Sequence, residues 1–186
     1  MLKQSGFSLF EVLICLMIAS LILIGTSQCY QQLQMRLSDD YLKSHLQQTV
    51  HQALAGLSKD IKRAGFTHHI STKIKFKPIE INDRQDCIVI RYDSGLGDNG
   101  SRKSLYSTYF DVFTFRYHQN NLEYKHAATK CDGLNWQRLF DPNDVNVTQF
   151  SIKQRSQTIE IKLTAELKKH AHIQYHLTKI IKNENR

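Results

Sequence analysis

Apolar positions along the chain follow three successive patterns. From Phe7 to about Cys29 nearly every position is apolar, and the stretch Val12–Gly25 is apolar on all faces. That reads as a helix able to cross a bilayer, since about 20 such residues suffice. Beyond Tyr30 the apolar positions thin to a stripe. Leu33, Leu37 and Tyr41, then Leu42, Leu46, Val50, Leu54, Leu57, Ile61 and Ala64, recur at threes and fours among Gln, Lys, Arg and Asp, the signature of an amphipathic helix. No proline interrupts this run, and Gly65 is a natural C-terminal stop. The two segments therefore predict one helix from Phe7 to about Ala64.

After Gly65 the period drops to two. Ile74–Lys77, Ile79–Ile81, Cys87–Tyr92, Tyr109–Tyr117, Leu122–Tyr124, Val145–Lys153, Thr158–Leu167 and Ile173–Leu177 read as strands, with a hairpin turn expected at Asn120-Asn121. The fold class is α+β: a long N-terminal helix whose second half packs on a mainly antiparallel β-sheet head.

Within the apolar run stands one carboxylate, Glu11. A charge at membrane depth costs roughly 2.5–3.5 kcal/mol on insertion scales, so it implies a partner. The residues before the run, Met1–Gly6, carry Lys3 and are too short and polar for the apolar core of an ordinary secretory signal. Lys3 places that end in the cytoplasm by the positive-inside rule, and no second span follows Tyr30. Everything after Gln31 is then expected to face the periplasm or exterior, tethered by a single pass through the membrane.

The chain has 186 residues and a net charge of +8, which suits one modest domain plus an appendage. In that topology Cys87 and Cys131 face an oxidising compartment, and a disulfide between them is expected, two buried free thiols being the alternative. Cys15 reads as a small apolar filler within the span. Cys29 lies near its outer end.

The segment Gly6-Phe7-Ser8-Leu9-Phe10-Glu11 with the following apolar run resembles the prepilin signal of type IV pilins and type II secretion pseudopilins. The resemblance implies cleavage after Gly6 by the prepilin peptidase and N-methylation of Phe7 by the same enzyme. It also implies an assembly role for Glu11, paired with the N-terminal ammonium of a neighbouring subunit. Pairing of that kind gives register more than net stability. Lys62-Arg63-Ala64-Gly65-Phe66 resembles the helix end of minor pilins related to the J pseudopilin and the W-type minor pilins. Asp86–Asp93 and Ala128–Trp136, ahead of Asp141-Pro142, resemble the prepilin peptidase-dependent protein B group, and both soluble cysteines fall inside these stretches. Major pilins often carry a proline where this chain has Gln28, a departure that fits a minor pilin or pseudopilin.

The resemblance organises the chain into a leader (1–6), a transmembrane helix (7–29), an amphipathic continuation of the spine (30–66) and a periplasmic β-rich domain (67–186). It implies a minor pilin acting in initiation or assembly of a type IV pilus, with a link to DNA uptake. The alternatives are a J-like type II secretion pseudopilin in protein export and a membrane-anchored adhesin or DNA-binding subunit. The expected partners are the prepilin peptidase, other minor pilins and the major pilin, inner-membrane lipid, and a pilus or secretion assembly platform. DNA is a weaker expectation, resting on Lys73, Lys75 and Lys77 and the basic tail of Lys168, Lys169, Lys179, Lys182 and Arg186.

No cofactor, metal site or catalytic residue is expected: the chain holds no nucleophile elbow, phosphate loop or zincin motif. Asp93, Asp98 and Asn99, in the glycine-rich stretch Asp93–Gly100, have oxygens that suit calcium but lack the EF-hand spacing, so a plain turn is favoured. His170, His172 and His176 fall on one strand face and read as a solvated surface. His68-His69 reads as loop.

Overall fold

The structure, a computed structural model, describes residues 8–67, 77–93 and 110–185. The chain divides into two units, Met1–Leu42 and Lys43–Arg186. Helix α1 (Leu9–Arg63) contributes to both. In the first unit the described residues are exposed almost throughout: Leu9, Leu16, Met17 and Leu23 each show more than 60% of their surface. An 18-residue window of α1 reaches a mean hydropathy of 2.5 with none of it buried.

In the second unit the remainder of α1 packs on two antiparallel sheets. Leu46, Val50, Leu54, Leu57 and Ile61 are fully buried, each contributing roughly 1.5–3 kcal/mol. The predicted stripe is therefore used from Leu46 onward, while Leu33, Leu37 and Tyr41 stay exposed within this chain. Gly65, at φ +83°, turns the chain out of the helix. A side chain there would press against the Pro78 ring at 3.2 Å, so the stop read from the sequence has two physical reasons.

The first sheet runs in the order β1 (Ile79–Ile81), β2 (Cys87–Tyr92), β3 (Asp111–His118), β4 (Asn121–His126), β5 (Gln137–Arg138). The second is β6 (Val145–Arg155), β7 (Thr158–Leu167), β8 (His170–Lys182). Burial alternates along β7, where Ile159, Ile161, Leu163, Ala165 and Leu167 face inward, as a half-buried strand requires.

Four features differ from the sequence reading. The strands divide into two sheets. The short β5 joins the first, and β8 starts before Ile173 and continues past Leu177. The β3–β4 turn is Gln119-Asn120, both at positive φ, so it lies one residue earlier than expected. Asn121 is instead a buried strand residue: its amide donates to the Phe140 carbonyl at 3.0 Å and its Oδ1 accepts from the Phe140 N–H. The strand expected at Ile74–Lys77 falls outside the described residues except for Lys77, as do His68-His69, Asp98 and Asn99.

Candidate anchoring and assembly surfaces

Glu11 sits in the first turn of α1, three residues after Ser8, whose carbonyl accepts the Glu11 N–H at 3.0 Å. A carboxylate is favoured there by the unpaired N–H groups and partial positive charge of a helix start. Its neighbours Leu9, Phe10, Val12 and Leu13 are all exposed. Among the described residues no ion pair engages Glu11. The site thus consists of one carboxylate on an open apolar surface. Gly6 and Phe7 lie outside the described residues. Cys15 and Cys29 are free and exposed on the same helix.

The other end of α1 is closed by residues far along the chain. The Asn183 amide donates to the Ala64 carbonyl at 3.1 Å, and the Asn185 amide to that of Lys62 at 3.1 Å. These satisfy carbonyls that a helix end leaves without partners. The Gly65 N–H bonds the Arg91 carbonyl, joining the helix stop to β2. Farther up, His45 meets Asp144 at 3.0 Å and His51 meets the Tyr175 hydroxyl at 3.0 Å.

Beneath the helix end, the Tyr92 hydroxyl donates to Asp60 Oδ1 at 2.8 Å. Burial raises the Asp60 carboxyl above its ordinary range, and the Tyr92 hydrogen bond opposes part of that rise. Burial likewise raises Tyr92, reinforced by the hydrogen bond it makes to Asp60. Tyr92 stacks on Phe113 at 4.8 Å, and Phe115 packs on Tyr124 at 5.0 Å. Nothing in the local pattern marks Asp60 as buried; only its place on the apolar stripe, one residue before Ile61, hints at it.

Cys87 and Cys131 form the expected disulfide, with Cα atoms 6.2 Å apart and 44 positions of separation. It fixes the segment 127–136 to β2. Arg116 fastens the same segment a second time. Its Nε and Nη2 both reach Glu123 Oε2, at 2.9 and 2.8 Å, while Nη1 donates to the Cys131 carbonyl at 2.9 Å. The guanidinium lies 4.1 Å over the Trp136 ring, a cation–π arrangement. Glu123 is buried, so this pair holds geometry at a desolvation cost. Trp136 falls within the stretch Ala128–Trp136 that carries the resemblance, while no local pattern marks Arg116 or Glu123.

His170, His172 and His176 are exposed on β8, and His176 Nδ1 meets the Thr164 hydroxyl at 2.9 Å. No group of three or more His, Cys, Asp or Glu side chains with metal-holding geometry occurs among the described residues. Lys179 and Lys182 lie on opposite faces of β8, Lys168 and Lys169 stand just before it, and Lys73, Lys75 and Arg186 fall outside the described residues.

Comparison with known proteins supplies what geometry leaves open. Residues 1–27 match the prokaryotic N-terminal methylation motif. A curated relative, prepilin peptidase-dependent protein B of Escherichia coli K12, is 28% identical over 150 residues, covering 81% of this chain and 78% of the relative. A solved type IV-like pilin from Thermus thermophilus superposes with a TM-score of 0.55 at 10% identity, over 75% of this chain and 96% of that one. At that identity the likeness speaks for the fold, one long helix on antiparallel sheets. Residues 39–183 match the family described as prepilin peptidase-dependent protein B, and the chain belongs to that family.

Proposed function

We propose that this protein is a minor pilin that primes or assembles a type IV pilus. Cleavage after Gly6 would free Phe7 for methylation. Residues 7–29 would hold the subunit in the inner membrane, 30–66 would continue the spine, and 67–186 would form the periplasmic head. The observation that carries this reading is Glu11, a single carboxylate on a fully exposed apolar helix, within the segment that matches the methylation motif. An apolar surface of that length needs lipid before assembly and neighbouring helices after it. A buried carboxylate needs a cation, and the methylated ammonium of a neighbouring subunit meets that need. The family and fold are those of a structural subunit, and no catalytic role is assigned to any residue.

The test is the amount of major pilin sheared from the surface of a strain lacking this gene. Pilin should collapse on deletion and return with the wild-type gene. Glu11→Ala should still be cleaved after Gly6 but should fail to restore the pilus. Normal incorporation of Glu11→Ala would sink the pairing role. Unchanged sheared pilin on deletion would overturn the pilus reading and favour the pseudopilin alternative, to be read from protein export in the same strain. Transformation frequency in that strain tests the link to DNA uptake.

A further inference from the structure

Strand β8 is an edge: the second sheet runs β6-β7-β8 and stops. Its hydrogen-bonding parity can be read from one contact. The Asn183 N–H bonds the Gln157 carbonyl, and this pair continues the register Thr158↔Lys182, Ile159↔Ile181. On an antiparallel ladder, alternate residues turn both backbone groups to the same side. Tyr175, Leu177, Lys179 and Ile181 therefore bond β7. The N–H and C=O groups of Gln174, His176, Thr178, Ile180 and Lys182 point away from it, and nothing among the described residues bonds them. The result is an open backbone edge of nine residues, about 30 Å long.

Long open edges invite pairing with another strand. The side chains of β8 say which kind. The strand His170–Lys182 contains no carboxylate, while it carries three histidines, Lys179 and Lys182, with Lys168 and Lys169 just before it. The outward face displays His176, Thr178, Ile180 and Lys182, with Ile180 68% exposed. The inward face presents half-buried Tyr175, Leu177 and Lys179 and buried Ile181. An added strand would continue both faces. It would set acids beside the cations outside and apolar side chains beside Leu177 inside. A second copy of this chain fits poorly, because its own edge is equally cationic and the whole chain carries +8.

We propose that the free edge of β8 takes up an extended, acidic segment of another protein, alternating acidic and apolar residues, as an added strand. The lysines then serve two ends: they discourage pairing between copies and select an acidic partner. The inference stands on the edge itself and holds whichever filament the protein serves.

The test uses the full-length protein in detergent and a fluorescent ten-residue peptide alternating glutamate with valine. Binding is followed by anisotropy. Thr178→Pro removes one outward N–H while sparing the ladder to β7, and proline is tolerated at such an edge position. It should weaken binding by about tenfold with an unchanged unfolding midpoint. Methylating alternate backbone nitrogens of the peptide keeps its charge and should abolish binding, a result independent of how any variant folds. Lys182→Glu, on the outward face, should weaken the glutamate peptide and admit one alternating lysine with valine. Equal binding of the methylated and plain peptides would overturn strand addition. So would wild-type dimers that Thr178→Pro converts to monomers, since the occupant would then be a second copy.

Discussion

The two halves of α1 share one secondary structure and little else. From Leu9 to Leu42 it is exposed along almost its whole length. From Leu46 to Ile61 one face is sealed in the core and its end is tied down by Asn183 and Asn185. A single helix thus serves two solvents. Its first half depends on surroundings that the chain does not provide, whereas its second half is stabilised by the chain's own strands. Periodicity alone does not separate them, because Leu33 and Leu37 continue the stripe that Leu46 and Val50 bury. The separation comes from whether strands are present to cover the stripe.

The comparison can be broken most forcefully at the disulfide. Cys87 and Cys131 close a loop across 44 positions, which by chain entropy is worth about 4 kcal/mol. Reduction, or Cys131→Ser, should lower the stability of the head by that order in denaturant titration. It should leave the helicity of the exposed half and its membrane retention unchanged.

A paired substitution sharpens the contrast within the helix. Leu54→Ala opens a cavity at a fully buried position and should cost about 2–5 kcal/mol. Leu23→Ala, in the exposed half, should leave the unfolding midpoint of the head where it was. Equal losses at both positions would show that the halves are not energetically distinct.

The smallest effect is one of pH. Asp60 and Tyr92 both hold their protons more tightly folded than unfolded. The folded state then binds more protons in the window above each ordinary pKa, and stability falls as pH rises through it. For Asp60 that window opens just above 3.8; for Tyr92 it opens at 10.0. Tyr92→Phe should lower stability by about 1–3 kcal/mol at neutral pH, because it leaves a buried carboxylate without its donor. It should also flatten the decline above pH 10 relative to wild type. A parallel decline in both proteins would remove Tyr92 as its source.

What could be read in the sequence was whatever a local period encodes. The helix, its stop at Gly65 and strands such as Cys87–Tyr92 and Thr158–Leu167 coincide with the structure within a residue or two. Asn121 looks like a turn residue, yet it spends its amide on Phe140, 19 positions away, so the turn falls one residue earlier than the local pattern suggests. The two-residue β5 is too short to have a period. β8 was underestimated because an edge strand carries polar residues on its open side, which hides its length. The Asp60–Tyr92 and Arg116–Glu123 pairs belong to tertiary proximity, which no window along the chain contains. Of the candidate site, the segment that matches the methylation motif is fully legible, since its meaning is carried by consecutive residues.

One consequence concerns the order of events as the chain is made. The carbonyl of Ala64 is capped by Asn183, 119 positions later. The last turn of a helix completed early therefore waits for the end of β8 before it can close. Until the strands are made the Leu46–Ile61 face is uncovered, and contacts separated so widely form slowly. A newly made chain should spend this interval half-open. That interval, with its greasy face still uncovered, is when a chaperone or a protease would meet it.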